Sequence, residues 1–143
     1  MNKKGFILVE ALIGIFFVSL ISIVFFPIFT LINNQFYNME IKNDMKYYGE
    51  TIIERIKAFD DNSDEYILDM SLDEIINNFY RKDDVSIKLP LNMDGNFDYK
   101  VNINKRNRGN NLWKIIVEVY PKTNKTEIEG VRFEANMPKP EKK

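Results

Sequence analysis

Residues 6–32 read FILVEALIGIFFVSLISIVFFPIFTLI. These are 27 residues with one ionisable side chain, Glu10. About 20 apolar residues in a helix suffice to cross the hydrocarbon core of a bilayer. The five residues before them, Met1-Asn2-Lys3-Lys4-Gly5, are short, basic and polar. Lys3 and Lys4 hold that end in the cytoplasm by the positive-inside rule, which places the remainder of the chain outside. A cleaved secretory signal has an apolar region of only about 7–15 residues followed by an A-x-A-like site. This run is far longer, and no such site follows it. A plain membrane anchor fits the length but leaves Glu10 unexplained. A carboxylate inside a span costs a few kcal/mol and marks a functional site by default. The competing reading has Glu10 reaching back to the cytoplasmic interface.

The residues around Glu10 carry a further signal. Lys4-Gly5-Phe6-Ile7-Leu8-Val9-Glu10-Ala11-Leu12-Ile13 resembles the class III signal of the type IV prepilin and pseudopilin family. The resemblance implies a leader peptide, residues 1–5, removed after Gly5 by a membrane aspartyl peptidase. It implies N-methylation of the new N-terminal Phe6. It makes Glu10 the carboxylate that docks subunits, and Pro27 the residue that bends the helix. The physics of each part agrees. A small residue before the cut opens the backbone to the peptidase, and a buried carboxylate needs a partner. The amine of Phe6 on a neighbouring subunit can be that partner. The sequence also departs from the commonest family pattern. Ile7 stands where Thr is frequent, and Glu10-Ala11-Leu12-Ile13 is nearer to minor pilins and pseudopilins than to major ones. The paired cysteines common in Gram-negative pilins are absent, which removes a disulfide-bounded loop.

Composition narrows the chemistry. The 143 residues contain no Cys and no His. Thiolate nucleophiles, thiolate or histidine zinc sites and Ser-His-Asp catalysis are therefore excluded. Gly5, Gly14, Gly49, Gly95, Gly109 and Gly130 lie too far apart for a phosphate loop or dinucleotide fingerprint. We expect no enzyme activity, no cofactor and no metal. The net charge of −1 carries no global nucleic-acid footprint. Abundant Ile, Asn and Lys, residues of AT-rich codons, suggest a low-GC bacterium.

Past residue 32 the chain turns polar but keeps a helical period. Ile41, Met45, Tyr48, Ile52, Ile56 and Phe59 recur at spacings of three and four, one apolar stripe on an amphipathic helix. We expect one helix over 6–59, bent near Pro27 and about 80 Å long at 1.5 Å per residue. A break at Asn33-Asn34 is the alternative. The acidic stretch 60–65, DDNSDE, ends the helix. Asp60, Asn62 and Asp64 have the opening spacing of a calcium loop. Glu65 then stands where Gly is needed, and Ser71 where the bidentate Glu is needed, so a solvated loop is the better reading. Ser71-Leu72-Asp73-Glu74 has the form of a capping box and starts a short helix to about Tyr80. Its apolar face is Leu72, Ile75, Ile76 and Phe79.

Beyond it the period becomes two. Strands are expected over 85–89, 97–103 and 113–120, with a fourth over 128–135. Turns fall at 92–95, 107–110 and 121–124. Short links favour an antiparallel meander. Lys105, Arg106 and Arg108 are placed at a basic hairpin tip. Such a tip could touch phosphates, but no aromatic platform interleaves the charges, and a solvated loop reads better. Residues 138–143 are expected to be a flexible tail.

The expected fold class is α+β and pilin-like: a long N-terminal helix packed on a small antiparallel sheet of three to four strands. Residues 1–5 form the leader, 6–32 the transmembrane or filament-core half of the helix, and 33–137 the head. The expected function is a structural subunit, a minor pilin or pseudopilin, of a type IV pilus or related pseudopilus. Its implied partners are other pilins, the prepilin peptidase, the assembly platform and the membrane. It would sit in the cytoplasmic membrane as a single-pass protein and move to a surface filament on assembly. The other reading is a single-pass anchor bearing an extracellular binding or sensor head.

Overall fold

The computed structural model of the protein describes residues 3–60, 64–92, 95–109, 111–122 and 128–140, with side chains from Gly5 onward. Helix α1 runs from Lys3 to Lys57 without interruption, so no break falls at Asn33-Asn34. The absence of helix breakers other than Pro27 allows this continuity, and Arg55 and Lys57 complement the dipole in the last turn. The chain divides into two units, Met1–Met39 and Glu40–Lys143. The apolar run ends at residue 32, but every residue over 33–40 is exposed, and the second unit begins only where the helical stripe does. The calcium-like spacing at 60–64 includes Asn62, which lies outside the described residues.

In the second unit the stripe is buried as its period demands. Met45, Ile52 and Ile56 are closed off, while Ile41, Tyr48 and Phe59 border the core. Each fully buried aliphatic side chain contributes about 1.5–3 kcal/mol. The chain leaves α1 through a small hairpin of β1 (Tyr66–Ile67) and β2 (Met70–Ser71). Leu68 holds a left-handed conformation in its turn, at φ 56°. Arg55 donates to the Tyr66 carbonyl at 3.2 Å and fixes the hairpin to the end of α1. Helix α2 (Leu72–Arg81) then starts on Ser71, whose hydroxyl accepts from the Glu74 amide at 3.2 Å. Its buried residues are Leu72, Ile75, Ile76 and Phe79, the face that the sequence spacing gives.

The remaining strands are β3 (Asp84–Leu89), β4 (Tyr99–Asn107), β5 (Leu112–Pro121) and β6 (Val131–Pro138). They form one sheet in the order β3-β4-β5-β6 with every neighbour antiparallel. The fold is α+β. The inner face carries Ile87, Leu89, Val101, Ile103, Trp113, Ile115, Val117 and Val119, all buried. The outer face is mainly polar, with Ile116, which is buried, and Tyr120 among the exceptions. A ladder crosses it from Ser86 to Asn102 (3.2 Å), from Asn102 to Glu118 (3.1 Å) and from Glu118 to Arg132 (3.8 Å).

Three expectations are corrected here. The last strand lies at 131–138, three residues later than read, while Ile128 is buried ahead of it in an irregular segment. Lys105 is not at a hairpin tip. Strand β4 continues to Asn107, and Lys105 is an inward residue with 1% exposure. The turn itself is closed by the Arg108 amide on the Leu112 carbonyl at 2.8 Å, with Gly109 at φ 77°. Finally, the stretch read as a tail from 138 is tied down as far as Pro140. The Lys139 amide donates to the Asn111 carbonyl at 2.9 Å, and the Tyr80 hydroxyl donates to the Pro140 carbonyl. Residues 141–143 lie outside the described residues.

Gly49 sets how closely α1 approaches β5 and β6. A Cβ there would lie 2.5 Å from the Phe133 ring and 3.3 Å from a Val119 methyl. Alanine would gain about 1 kcal/mol in helix propensity, but overpacking costs typically 1–3 kcal/mol. We expect Gly49→Ala to lower stability by up to about 2 kcal/mol, and Gly49→Leu by more, since a larger side chain meets the same ring. Urea denaturation of a head fragment starting at Asn33 checks this. A stabilised alanine variant would show that the Phe133 ring swings aside freely.

Candidate functional site

The N-terminal unit is one stretch of helix. Its large apolar side chains over 6–32 are all exposed, from 40% at Ile32 to 72% at Phe26. By length and composition this helix can cross a membrane. A spanning helix must satisfy its polar groups within itself. The hydroxyls do so: Ser19 donates to the Ile15 carbonyl at 2.8 Å, Ser22 to Val18 at 2.8 Å, and Thr30 to Phe26 at 3.0 Å. Pro27 lies inside α1, where its ring removes the amide that would otherwise meet the Ile23 carbonyl.

Glu10 is the exception to this self-sufficiency. Its side chain is exposed on the apolar helix, and among the described residues it has no hydrogen-bond or ion-pair partner. Phe6, one helical turn before it, is 66% exposed. The helix therefore presents a carboxylate and the Gly5-Phe6 junction to whatever surrounds it. The side chains of Lys3 and Lys4 lie outside the described residues, as do Met1 and Asn2.

Gly5 adds a second observation. A Cβ at Gly5 would meet nothing within 4 Å, and the same holds at Gly14. Glycine inside a helix costs roughly 0.5–1 kcal/mol against alanine. Neither position needs glycine for a turn or for close approach within the chain.

Among the described residues the head holds one buried cation, Lys105, which periodicity could have revealed. Lys105 continues the inward series of Val101 and Ile103 by two residues. Its Nζ donates to the carbonyls of Phe79 and Lys82 at 2.8 Å each and of Asp83 at 3.2 Å. These are the carbonyls at the end of α2, where a helix presents its negative pole. The ammonium also lies 5.1 Å from the Trp113 ring centre. Burial lowers its pKa from the ordinary lysine value, with Lys139 adding to the effect and Asp83 and Asp84 opposing it. Arg106 and Arg108 remain exposed, so the three cations of the predicted tip are not brought together. Among the described residues no group of three acidic side chains is placed to hold a metal ion.

Compared with known proteins, the chain matches no family model, no curated protein and no solved structure.

Proposed function

We propose that the protein is a structural subunit, a minor pilin or pseudopilin, of a type IV pilus or a related pseudopilus. The observation that carries the proposal is the carboxylate of Glu10, alone on an exposed apolar helix four residues after Phe6. In a bilayer alone, such a group is a cost without a return. In a bundle of such helices, it pairs with the N-terminal amine that cleavage after Gly5 creates on a neighbour. Gly5 is then a substrate residue of the peptidase, and Phe6 is the residue methylated. The chain waits in the cytoplasmic membrane with its N-terminus inside and its head outside. It leaves for the filament through the assembly platform, and its partners are other pilin-like subunits.

Processing is the first test. We expect the mature chain isolated from membranes to begin at Phe6, to lack the mass of Met1 to Gly5, and to carry one added methyl group. N-terminal sequencing and intact mass read all three. Gly5→Leu is expected to block the cut, because a side chain at that position obstructs access to the backbone. A chain that still begins at Met1 in cells with an active prepilin peptidase would sink the proposal and leave an anchored head.

A further inference from the structure

The apolar run of α1 does not give way directly to charge. From Ala11 to Met39 the sequence holds no Asp, Glu, Lys or Arg, and charges begin only at Glu40. Between the run and Glu40 lie residues 33–39, NNQFYNM: four amides, two adjacent aromatic rings and a thioether. Phe36 is 66% exposed and Tyr37 56% exposed, and neither is among the residues packed on the core of the head. Contiguous apolar surface left open in this way marks an interaction site.

We infer that Phe36 and Tyr37 anchor the helix in the outer interfacial layer of the membrane, among the lipid headgroups. Distance is the first reason. The interfacial layer adds about 5–7.5 Å on each side of the hydrocarbon core. Phe36 and Tyr37 stand four and five residues beyond Ile32, about 6 and 7.5 Å along the axis. Helical side chains lean toward the N-terminus, so both rings reach back toward the core. Chemistry is the second reason. Tyrosine is enriched at the water boundary of membranes, where its ring meets lipid and its hydroxyl meets water. The flanking amides can hydrogen-bond headgroups without bringing a charge to the layer. The inference rests on the membrane-spanning part of the proposed function and is independent of filament assembly.

The spread of these side chains around the helix selects lipid over a protein partner. At about 100° per residue, Tyr37 lies about 100° to one side of Phe36, and Met39, 59% exposed, about 60° to the other. One packed protein face takes up a narrower stripe, on the order of 100°. A lipid layer surrounds the helix and meets all three. The anchor also decides where spare length goes. The 27 residues of the run reach about 40 Å, against a hydrocarbon core of about 30 Å. About 20 residues fill that core, and counted back from Ile32 they end at Ile13. The surplus then falls on the cytoplasmic side. Glu10 lies in the inner interfacial layer, where its carboxylate costs least until a neighbour's amine is at hand.

The natural chain has no Cys, so an introduced thiol carries a label alone. The test places one nitroxide at a time on full-length protein diluted into phosphatidylcholine vesicles. The sites are Ile23→Cys, in the middle of the span, and Asn34→Cys and Asn38→Cys, which flank the two rings and leave them in place. Collisions with oxygen, enriched in lipid, against those with a nickel chelate, held in water, read the depth of each label. We expect the label at 23 in hydrocarbon, the label at 34 inside the interfacial layer and the label at 38 at its watery rim. Phe36→Ser with Tyr37→Ser removes the anchor and divides the surplus between the two sides. The label at 34 should then move outward by up to about 5 Å, half the surplus, and gain contact with the chelate. Labels at 34 and 38 both in bulk water, with 23 in hydrocarbon, would overturn the anchor and leave the span intact. So would an unchanged depth at 34 once both rings are gone. Spin–spin broadening at 34 or 38 in place of lipid contact would make a second copy the occupant and overturn the lipid assignment. A label at 23 in water would overturn the membrane-spanning reading, and the anchor with it.

Discussion

Replacing Glu10 by alanine is expected to leave the chain in the membrane while cutting its recovery in sheared filaments by a factor between about 10² and 4 × 10³. Insertion should persist because the change makes the span more apolar. Cleavage after Gly5 should persist because the leader and its junction are unchanged. Assembly should fail because the amine of Phe6 on a neighbour would enter an apolar bundle with no counter-charge. Removing one member of a buried ion pair costs about 3–5 kcal/mol, and each 1.4 kcal/mol is a factor of ten. Glu10→Gln should recover only part of the loss, since an amide accepts a hydrogen bond but carries no charge. The measurement compares sheared and membrane fractions of each variant expressed beside wild type. Full incorporation of Glu10→Ala would mean that the carboxylate merely reaches the cytoplasmic interface. The exposure of Glu10 on a single chain fits both outcomes, so incorporation is the quantity that separates them.

The same physics explains how far the sequence could be read. Where one period ran long enough, it placed side chains correctly. The three-four spacing from Ile41 to Phe59 put one face of α1 against the sheet, and alternation from Trp113 to Val119 put every second residue inward. Ser71 and the four apolar residues after it located α2 because a cap and a stripe coincide there. The signal fails where elements are too short to have a period. The hairpin of Tyr66–Ile67 and Met70–Ser71 has two residues per strand and turns on Leu68, a residue type that seldom takes a left-handed conformation. The alternation seen in the sequence starts at Ile128, three residues before strand β6, because Ile128 is buried and looks like a first inward residue although it precedes the strand. The anchoring of Lys139 and Pro140 depends on Asn111 and Tyr80, which are remote in sequence and carry no local mark. At the candidate site, the Gly5-Phe6 junction and Glu10 were legible because a charge in an apolar run is conspicuous. What would meet them under the proposed function carries no mark in this chain, because a neighbouring subunit and a peptidase are other molecules.

Lys105 combines both lessons, since its period-two position was visible but its charge argued for a surface. Its removal is expected to produce the largest loss of stability in the head. Lys105→Met keeps the length and apolar stem but deprives the carbonyls of Phe79, Lys82 and Asp83 of their shared donor. Replacing a buried polar pair is nearly neutral only when both members go, and backbone carbonyls cannot be mutated away. Of the three only Phe79 is a buried residue, and the Asp83 carbonyl keeps the Asn107 amide at 3.3 Å. The cost therefore falls mainly on the Phe79 carbonyl: about 1–3 kcal/mol for a buried acceptor left without a donor, in addition to the charged hydrogen bonds lost. Methionine also escapes the cost of burying an ammonium, so we expect a net loss of about 2–4 kcal/mol. Against a domain stability of about 5–15 kcal/mol this is a large share. It corresponds to a fall in Tm on the order of 10–20 °C for a head of this size. Trp113, the only tryptophan, lies against the ammonium, so its fluorescence follows the same event locally. The pH dependence gives a further sign. With its folded pKa lowered by burial, Lys105 binds its proton less tightly in the folded chain than in the unfolded one. Between that lowered value and the ordinary lysine value of about 10.4, its contribution to stability therefore rises with pH. The difference in stability between wild type and Lys105→Met should widen across that window, since the methionine chain lacks the group. Equal melting of the two proteins at neutral pH would show that the end of α2 finds other donors and that the ammonium does not hold it.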